Sequence, residues 1–255
     1  MKQFTAFFQK EWLELLRSGK LLIILILFTL FGVMNPAMAK LTPWMMELAS
    51  ESLADAGMIV TEVTVDAMTS WEQYYKNIAV IMLIFLIMVS GIFTAEYQKK
   101  TLINMVTKGL DRWKILLAKS AMLLLLWSFA YWLCYGITYG YNAYFWDNGI
   151  ANHVFFSAFC VYILGVWLVT LIVLMSVIVS ANTGVLLLTG GVFGVCYLLG
   201  MLSKIKEYLP TQLMGAGALL ASGSASDYYW SIAVCIFGSF LNIGAGILLF
   251  NRKNL

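Results

Sequence analysis

Apolar residues along this chain come in long unbroken runs, separated by short stretches where charge and polarity return. Six runs, 21–39, 77–95, 120–141, 154–179, 183–202 and 229–250, carry no Asp, Glu, Lys or Arg well inside them. Each is about the 17–25 residues that an α-helix needs to cross a bilayer. Ahead of the first run, Phe4, Phe7, Phe8, Trp12, Leu15 and Leu16 recur at helical spacing, with Lys10, Glu14 and Arg17 on the other side. This pattern predicts an interfacial amphipathic helix over 3–17; the alternative is an extension of the first span. Between the second and third runs, 96–119 predicts a short helix, roughly 98–108, with Leu102, Met105 and Val106 on one face and Lys99, Lys100 and Lys108 at its ends. The segment 40–76 is acidic, with lysine only at its edges. It reads as a loop with a short amphipathic helix after Pro43, a turn at Gly57 and a β-prone piece over 59–65. It is too small to be an independent domain, and serves either as a cap or as a connector.

Composition sharpens the class. Hydrophobic residues are 62% of the 255 and charged residues 11%, where a soluble domain carries about 25% charge. The expectation is an all-α polytopic membrane protein forming a single transmembrane domain over 1–255. The run before Pro36-Ala37-Met38-Ala39 has the look of a signal peptide. The preceding twenty residues, with Glu11 and Glu14, are too long for an n-region, so it is read as a span. Basic residues set the orientation. Lys2, Lys10, Arg17 and Lys20, the insert at 96–119, and Arg252 and Lys253 lie on one side, against Lys40, Lys76, Lys204 and Lys206 on the other. Both termini are therefore expected in the cytoplasm.

Several chemistries find no support in the residues. Cys134, Cys160, Cys196 and Cys235 all fall within runs, so there is no disulfide framework or metal-ligand spacing, and His153 is the lone histidine. No phosphate-binding loop exists; Gly109 to Lys114 lacks the second glycine. No carboxylate or base lies deep in a span, as ion-coupled carriers usually require. Neither catalytic nor metal residues are expected, nor a nucleic-acid partner. Gly190 and Gly194, and the face of Gly238, Asn242 and Gly246, would let helices approach closely, within one subunit or between two. Tyr131, Tyr135 and Tyr139 lie four apart on the third run. With Asn242 they are candidates for a substrate path, although packing and an interfacial aromatic belt are the favoured reading.

The basic insert carries a resemblance. Glu96-Tyr-Gln-Lys-Lys-Thr101-Leu102-Ile-Asn-Met-Val, then Thr107-Lys-Gly-Leu-Asp-Arg112-Trp-Lys-Ile-Leu-Leu-Ala-Lys119, resembles the signature of ABC-2-type transporter permeases. There a glutamate ends the second span, a Gly-Thr opens a short helix, and a Pro-x-x-Arg turn leads to a lysine entering the third. Lys100 stands in place of the glycine, and Lys108-Gly109 in the proline region. The start KEWLELLRSGK resembles the family's elbow helix, and Asn35 to Pro43, Ser180-Ala181-Asn182 and GILLFNRKNL resemble later parts of it. The resemblance implies a permease subunit in a bacterial cell membrane. It would pair with a second copy or close paralogue and sit on two separate ATPase chains, which would bind the ATP and Mg; no cofactor is expected in this chain. Glu96, Lys100, Thr101, Leu102, Met105, Val106 and Arg112 would then form the coupling element, its helix docking in an ATPase groove or resting on anionic membrane lipids. Spans without buried charge suit hydrophobic or amphipathic cargo, as in exporters of membrane-active peptides. The rival reading is a non-transporting anchor or sensor subunit.

Overall fold

A computed structural model of the protein describes residues 2–55, 65–98, 101–107 and 109–253. Every regular element among them is helical: α1 (Lys2–Arg17), α2 (Lys20–Asp55), α3 (Ala67–Val89), α4 (Gly91–Gln98), α5 (Thr101–Thr107), α6 (Arg112–Phe145), α7 (Val154–Ile178), α8 (Asn182–Leu199) and α9 (Tyr229–Arg252). Short 3₁₀ helices occupy Asn148–Ile150, Lys206–Tyr208, Pro210–Leu220 and Ala225–Tyr228. Six helical stretches among the described residues are long and apolar enough to cross a membrane: Lys20–Leu48, Ala67–Gln98, Arg112–Phe145, Val154–Ile178, Asn182–Leu199 and Ala225–Arg252. The protein is an all-α polytopic membrane protein, as the hydropathy pattern predicts. The fourth and fifth spans stop at Ile178 and Leu199, slightly short of the expected ends.

Local chemistry sets the boundaries. Gly19, at φ +70, turns the chain between α1 and α2. Asp66 caps α3 by accepting from the Thr69 amide at 3.0 Å. At the end of α5, Gly109 sits at φ +84; its amide donates to the Val106 carbonyl at 3.0 Å and the Leu110 amide to the Met105 carbonyl at 3.3 Å. That is a Schellman ending, which needs a residue free to adopt the left-handed region. Here glycine, rather than proline, makes the turn before Arg112.

The bundle is built around α7, which packs against α9, α6, α8, α3 and the 210–220 segment, while α2 lies against α6 and α3. Phe28, Phe85 and Trp127 meet edge to face, with centroids 5.2–6.1 Å apart. Trp127 lies flat across Gly165 of α7, where a Cβ would fall 2.0 Å from the ring. Small residues here allow close helix approach, the usual basis of packing in membranes. The end of the bundle holding α1, α4 and α5 is called the basal end below, and the other the far end.

Two expectations at the far end are corrected. The loop expected from residue 40 is helix up to Asp55: α2 runs on through Pro36 and Pro43, so no separate helix begins after Pro43. The turn at Gly57 and nearly all of the β-prone piece lie outside the described residues. The 210–220 stretch, for which the sequence predicted no element, folds into the bundle with Leu213, Ala216, Leu219 and Leu220 buried. Its carbonyls are satisfied by donors from neighbours: Ser157 Oγ donates to Ala216, the Asn152 amide to Leu220 at 3.0 Å, and Tyr228 OH to Gly215 at 3.1 Å.

Candidate functional site

The basal end holds a buried ion cluster. On α1 the inward stripe runs Phe4, Phe7, Phe8, Glu11, Leu15, with Phe7 and Leu15 buried and Phe4 and Phe8 packed against the core. Glu11 is therefore a carboxylate in the middle of an apolar face, only 3% exposed. It is tolerated because Lys119, 1% exposed near the start of α6, reaches it at 2.6 Å. The same ammonium lies 3.1 Å from Glu96 of α4 and over the rings of Phe7 and Phe93 at 5.9 and 5.5 Å. Buried charges persist only when so paired and solvated by protein groups.

Lys10 closes the cluster from the outside. Its ammonium contacts Glu11 at 2.9 Å, Glu14 at 2.8 Å and Glu96 at 3.3 Å. Those three carboxylates converge within 4.8 Å of one another, and the position a metal ion would need is taken by this ammonium. Partial burial pulls the Lys10 pKa down, but the hydrogen bonds to Glu14 and Glu11 and the charge of Glu96 outweigh it and hold the group above its ordinary value. Three helices far apart in the chain, α1, α4 and α6, are thus joined by charge.

The expected coupling residues are distributed unevenly around this cluster. Glu96 is at its centre. Lys100 lies outside the described residues, and Thr101 is described only as the first residue of α5. Leu102 is 1% exposed, inside the protein's own core, and Met105 and Val106 are packed partly against that core. The face expected to seat in a partner is therefore turned inward at Leu102; only Met105 and Val106 keep part of it open. Arg112 faces away from Glu96: its Nη1 donates to the carbonyls of Phe250 and Asn251 at 3.2 and 3.3 Å, and to that of Lys253. It caps the C-terminal end of α9, where helix carbonyls lack intrahelical donors.

The candidate path residues do not form one surface. Tyr131 is fully buried and donates to the Ala158 carbonyl at 2.6 Å. Tyr135 is wedged among Trp71, Tyr74 and Trp132 at 5.5, 6.3 and 5.4 Å. Tyr139, at the far end, is 45% exposed. Asn242 donates to Thr170 Oγ1 at 3.2 Å, tying α9 to α7. The first two tyrosines and the asparagine hold helices together.

An apolar recess lies between α3 and α8. It has a volume of about 280 Å³ and is lined by Met82, Leu83, Leu86 and Ile87 of α3, Leu186 and Phe193 of α8, Leu168 of α7 and Met214. Its one hydroxyl, Thr189, already donates to the Val185 carbonyl at 2.8 Å. A Cβ built on Gly190, Gly191 or Gly194 of α8 would meet nothing within 4 Å. The small-residue stripe of α8 thus packs against no helix described in this chain.

Sequence reasoning singled out neither Glu11 nor Lys119 as site residues. A signal for Glu11 was present, since a carboxylate at a core position of an amphipathic stripe demands a buried partner. Lys119 stands immediately before the third apolar run.

Among the described residues, six helical stretches able to span a membrane, a helix packed under them and a charge-linked helical insert form a polytopic membrane protein. The chain belongs to the ABC-2 family of transporter proteins, whose family model matches residues 5–210. Comparison with curated proteins finds no match. Membership makes the chain the membrane subunit of an ABC transporter and implies partnership with ABC ATPase subunits.

Proposed function

We propose that this protein is the permease half of an exporter for hydrophobic or amphipathic cargo. Two copies, or one copy and a close paralogue, enclose the route and are driven by two separate ATPase chains that bind the ATP and Mg. Both termini and the α4–α5 segment face the cytoplasm of a bacterial cell. The observation that carries this reading is the position of Glu96. It sits on the short helix leading into α5, and its ion pairs with Lys119 and Lys10 join that helix to α6 and α1. A push on α5 by an ATPase is thereby passed to the elbow helix and the third span together.

The cargo class rests on the recess between α3 and α8. With no polar group free to recognise a hydrogen-bonding ligand, it selects for hydrocarbon surface, as apolar side chains of an amphipathic peptide or an acyl chain would supply.

The test reconstitutes the permease with its cognate ATPase in liposomes and adds a fluorescent amphipathic helical peptide. Peptide-stimulated hydrolysis and peptide movement are expected, and filling the recess with Gly190→Trp should abolish both while the ATPase still co-purifies. Hydrolysis indifferent to peptide and to lipid composition, with no movement of either, assigns the chain to the anchor or sensor role. Orientation is read from single cysteines at Ser224 and Ser18 in a background without the native four: an impermeant maleimide should label the first alone from outside.

A further inference from the structure

The last residues of α9 are gripped at the basal end by two cations working in series. Arg112, from the start of α6, donates to the carbonyls of Phe250, Asn251 and Lys253, filling acceptors that a helix end leaves open. Lys253 then turns away from α9 and caps a second helix. Its Nζ donates to the Val177 carbonyl in the last turn of α7 at 2.6 Å and to Ser180 Oγ at 3.3 Å. A cation at a helix C-terminus is also favoured by the helix dipole. The same ammonium stands 4.2 Å from the ring centroid of Tyr97 on α4, within cation–π range. Burial pushes its pKa below the ordinary lysine value, in keeping with a group taken partly out of water to make these contacts.

Tyr97 follows Glu96 directly in sequence. On a helix, neighbouring side chains point about 100° apart, so α4 is held on two sides: through Glu96 to α1 and α6, and through Tyr97 to α7 and α9. Its other end is a break in the helix at Ser90, whose hydroxyl donates to the Ile87 carbonyl at 2.7 Å. A short helix with a break at one end and grips on two faces at the other is a lever with a defined set.

We propose that Lys253 is a positioning residue that registers α4, and the α5 segment it leads into, against the ends of α7 and α9. The cluster around Glu96 moves the elbow helix and third span; the Lys253 contact carries the same displacement to the fourth and sixth. This rests on the reading of α4–α5 as the receiver of the ATPase stroke. The register itself is a property of the permease alone and is measured there first.

In lipid nanodiscs without ATPase, hydrogen exchange is followed over 91–98 in Lys253→Met, Lys253→Arg, Tyr97→Leu, Tyr97→Phe and the Lys253→Met/Tyr97→Leu double variant. Lys253→Met and Tyr97→Leu should each speed exchange over 91–98 about tenfold, and the double variant no further. Lys253→Arg and Tyr97→Phe, which keep a cation and an aromatic face, should match the unaltered protein. Unchanged exchange in Lys253→Met, additive effects, failure of arginine to rescue, or equal loosening across all six spans overturns the proposal. With the cognate ATPase added, Lys253→Met should lower cargo moved per ATP hydrolysed several-fold while Lys253→Arg restores it; no change in that ratio also overturns it. Should the ATPase fail to bind the α4–α5 segment while the exchange pattern appears as expected, the receiver reading falls and the register of α4 by Lys253 stands.

Discussion

The hydroxyl of Thr138 on α6 donates to the carbonyl of Gly32 on α2 at 3.0 Å. That carbonyl lies four residues before Pro36, which has no N–H to give it. In a bilayer core an unmatched carbonyl costs several kcal/mol, and membrane helices keep an internal proline only where a neighbour replaces the missing donor. Gly32 also lets α6 come close enough to do so, since a Cβ there would stand 3.1 Å from the Cys134 carbonyl. The proline inside the first span is accommodated by a residue on the third.

Replacing Thr138 with Val removes the donor and should cost about 0.6 kcal/mol, the average for hydrogen bonds between membrane helices, and at most about 1.7 kcal/mol. Introducing Pro36→Ala restores the backbone donor, so the same Thr138→Val change should then cost close to nothing. Unfolding free energies of the four proteins of this cycle, measured in lipid, provide the check; an equal penalty in both backgrounds would show that the hydroxyl does not serve Gly32.

Lys119→Met should leave the buried carboxylates of Glu11 and Glu96 with Lys10 as their remaining counter-charge and destabilise the protein by up to about 3–5 kcal/mol, the cost of a fully unpaired buried charge. Adding Glu11→Gln removes one of those charges and should recover much of the loss, a non-additivity visible in thermal unfolding. The pH response follows from Lys10, whose pKa folding raises from 10.5. Its contribution is complete below that value and fades only as pH climbs through the higher folded value, so stability should show no loss from Lys10 between pH 7 and 9.

A methyl group at Gly165 would fall on the indole of Trp127. Gly165→Ala should therefore destabilise by about 1–3 kcal/mol through overpacking. In a Trp127→Leu background, already weakened by its own cavity, the extra methyl should cost less than it does in the unaltered protein. Equal costs in the two backgrounds would mean that the clash with the Trp127 ring is not the source of the penalty.

The two ends of the apolar face of α5 should respond differently to charge. Leu102→Asp places an unpaired carboxylate inside the protein's own core, at a cost of several kcal/mol, and should lower yield and melting temperature of the isolated permease. Val106→Asp, on a half-open position, should leave the melting temperature within a few degrees while reducing ATPase co-purification. If both variants lost stability and neither affected co-purification, α5 would be a structural element only.

Hydropathy alone carried the six spans, because a helix must pair its own backbone to cross lipid and so announces itself as a run of fixed length. The elbow helix was legible for a similar reason, from the spacing of Phe4, Phe7, Phe8 and Leu15. What escaped were arrangements that depend on partners distant in the chain. Nothing near Pro36 or Pro43 reveals that α2 continues, since the donor for Gly32 lies at Thr138. The 210–220 stretch is short and carries Pro210, Gly215 and Gly217, which locally signal a loop. It is ordered by Ser157, Asn152 and Tyr228. Leu102 read as an outward anchor because its helix is amphipathic, and a heptapeptide has no means of showing which of two apolar environments claims it.

The Glu11–Lys119 pair also fixes an order of events during synthesis. The two residues are separated by 108 positions, so α1 leaves the ribosome with a carboxylate on its apolar face long before Lys119, its buried partner, exists, and with only the half-exposed Lys10 beside it. It must wait at the membrane surface, where that carboxylate stays hydrated, while α2 and α3 insert independently and associate later. Only when the start of α6 arrives does the elbow gain a dry resting place. Maturation of the basal end is then expected to be a late docking step, and a nascent chain arrested before residue 119 should still expose a cysteine placed at Leu15, on the same inward stripe as Glu11, to aqueous labelling.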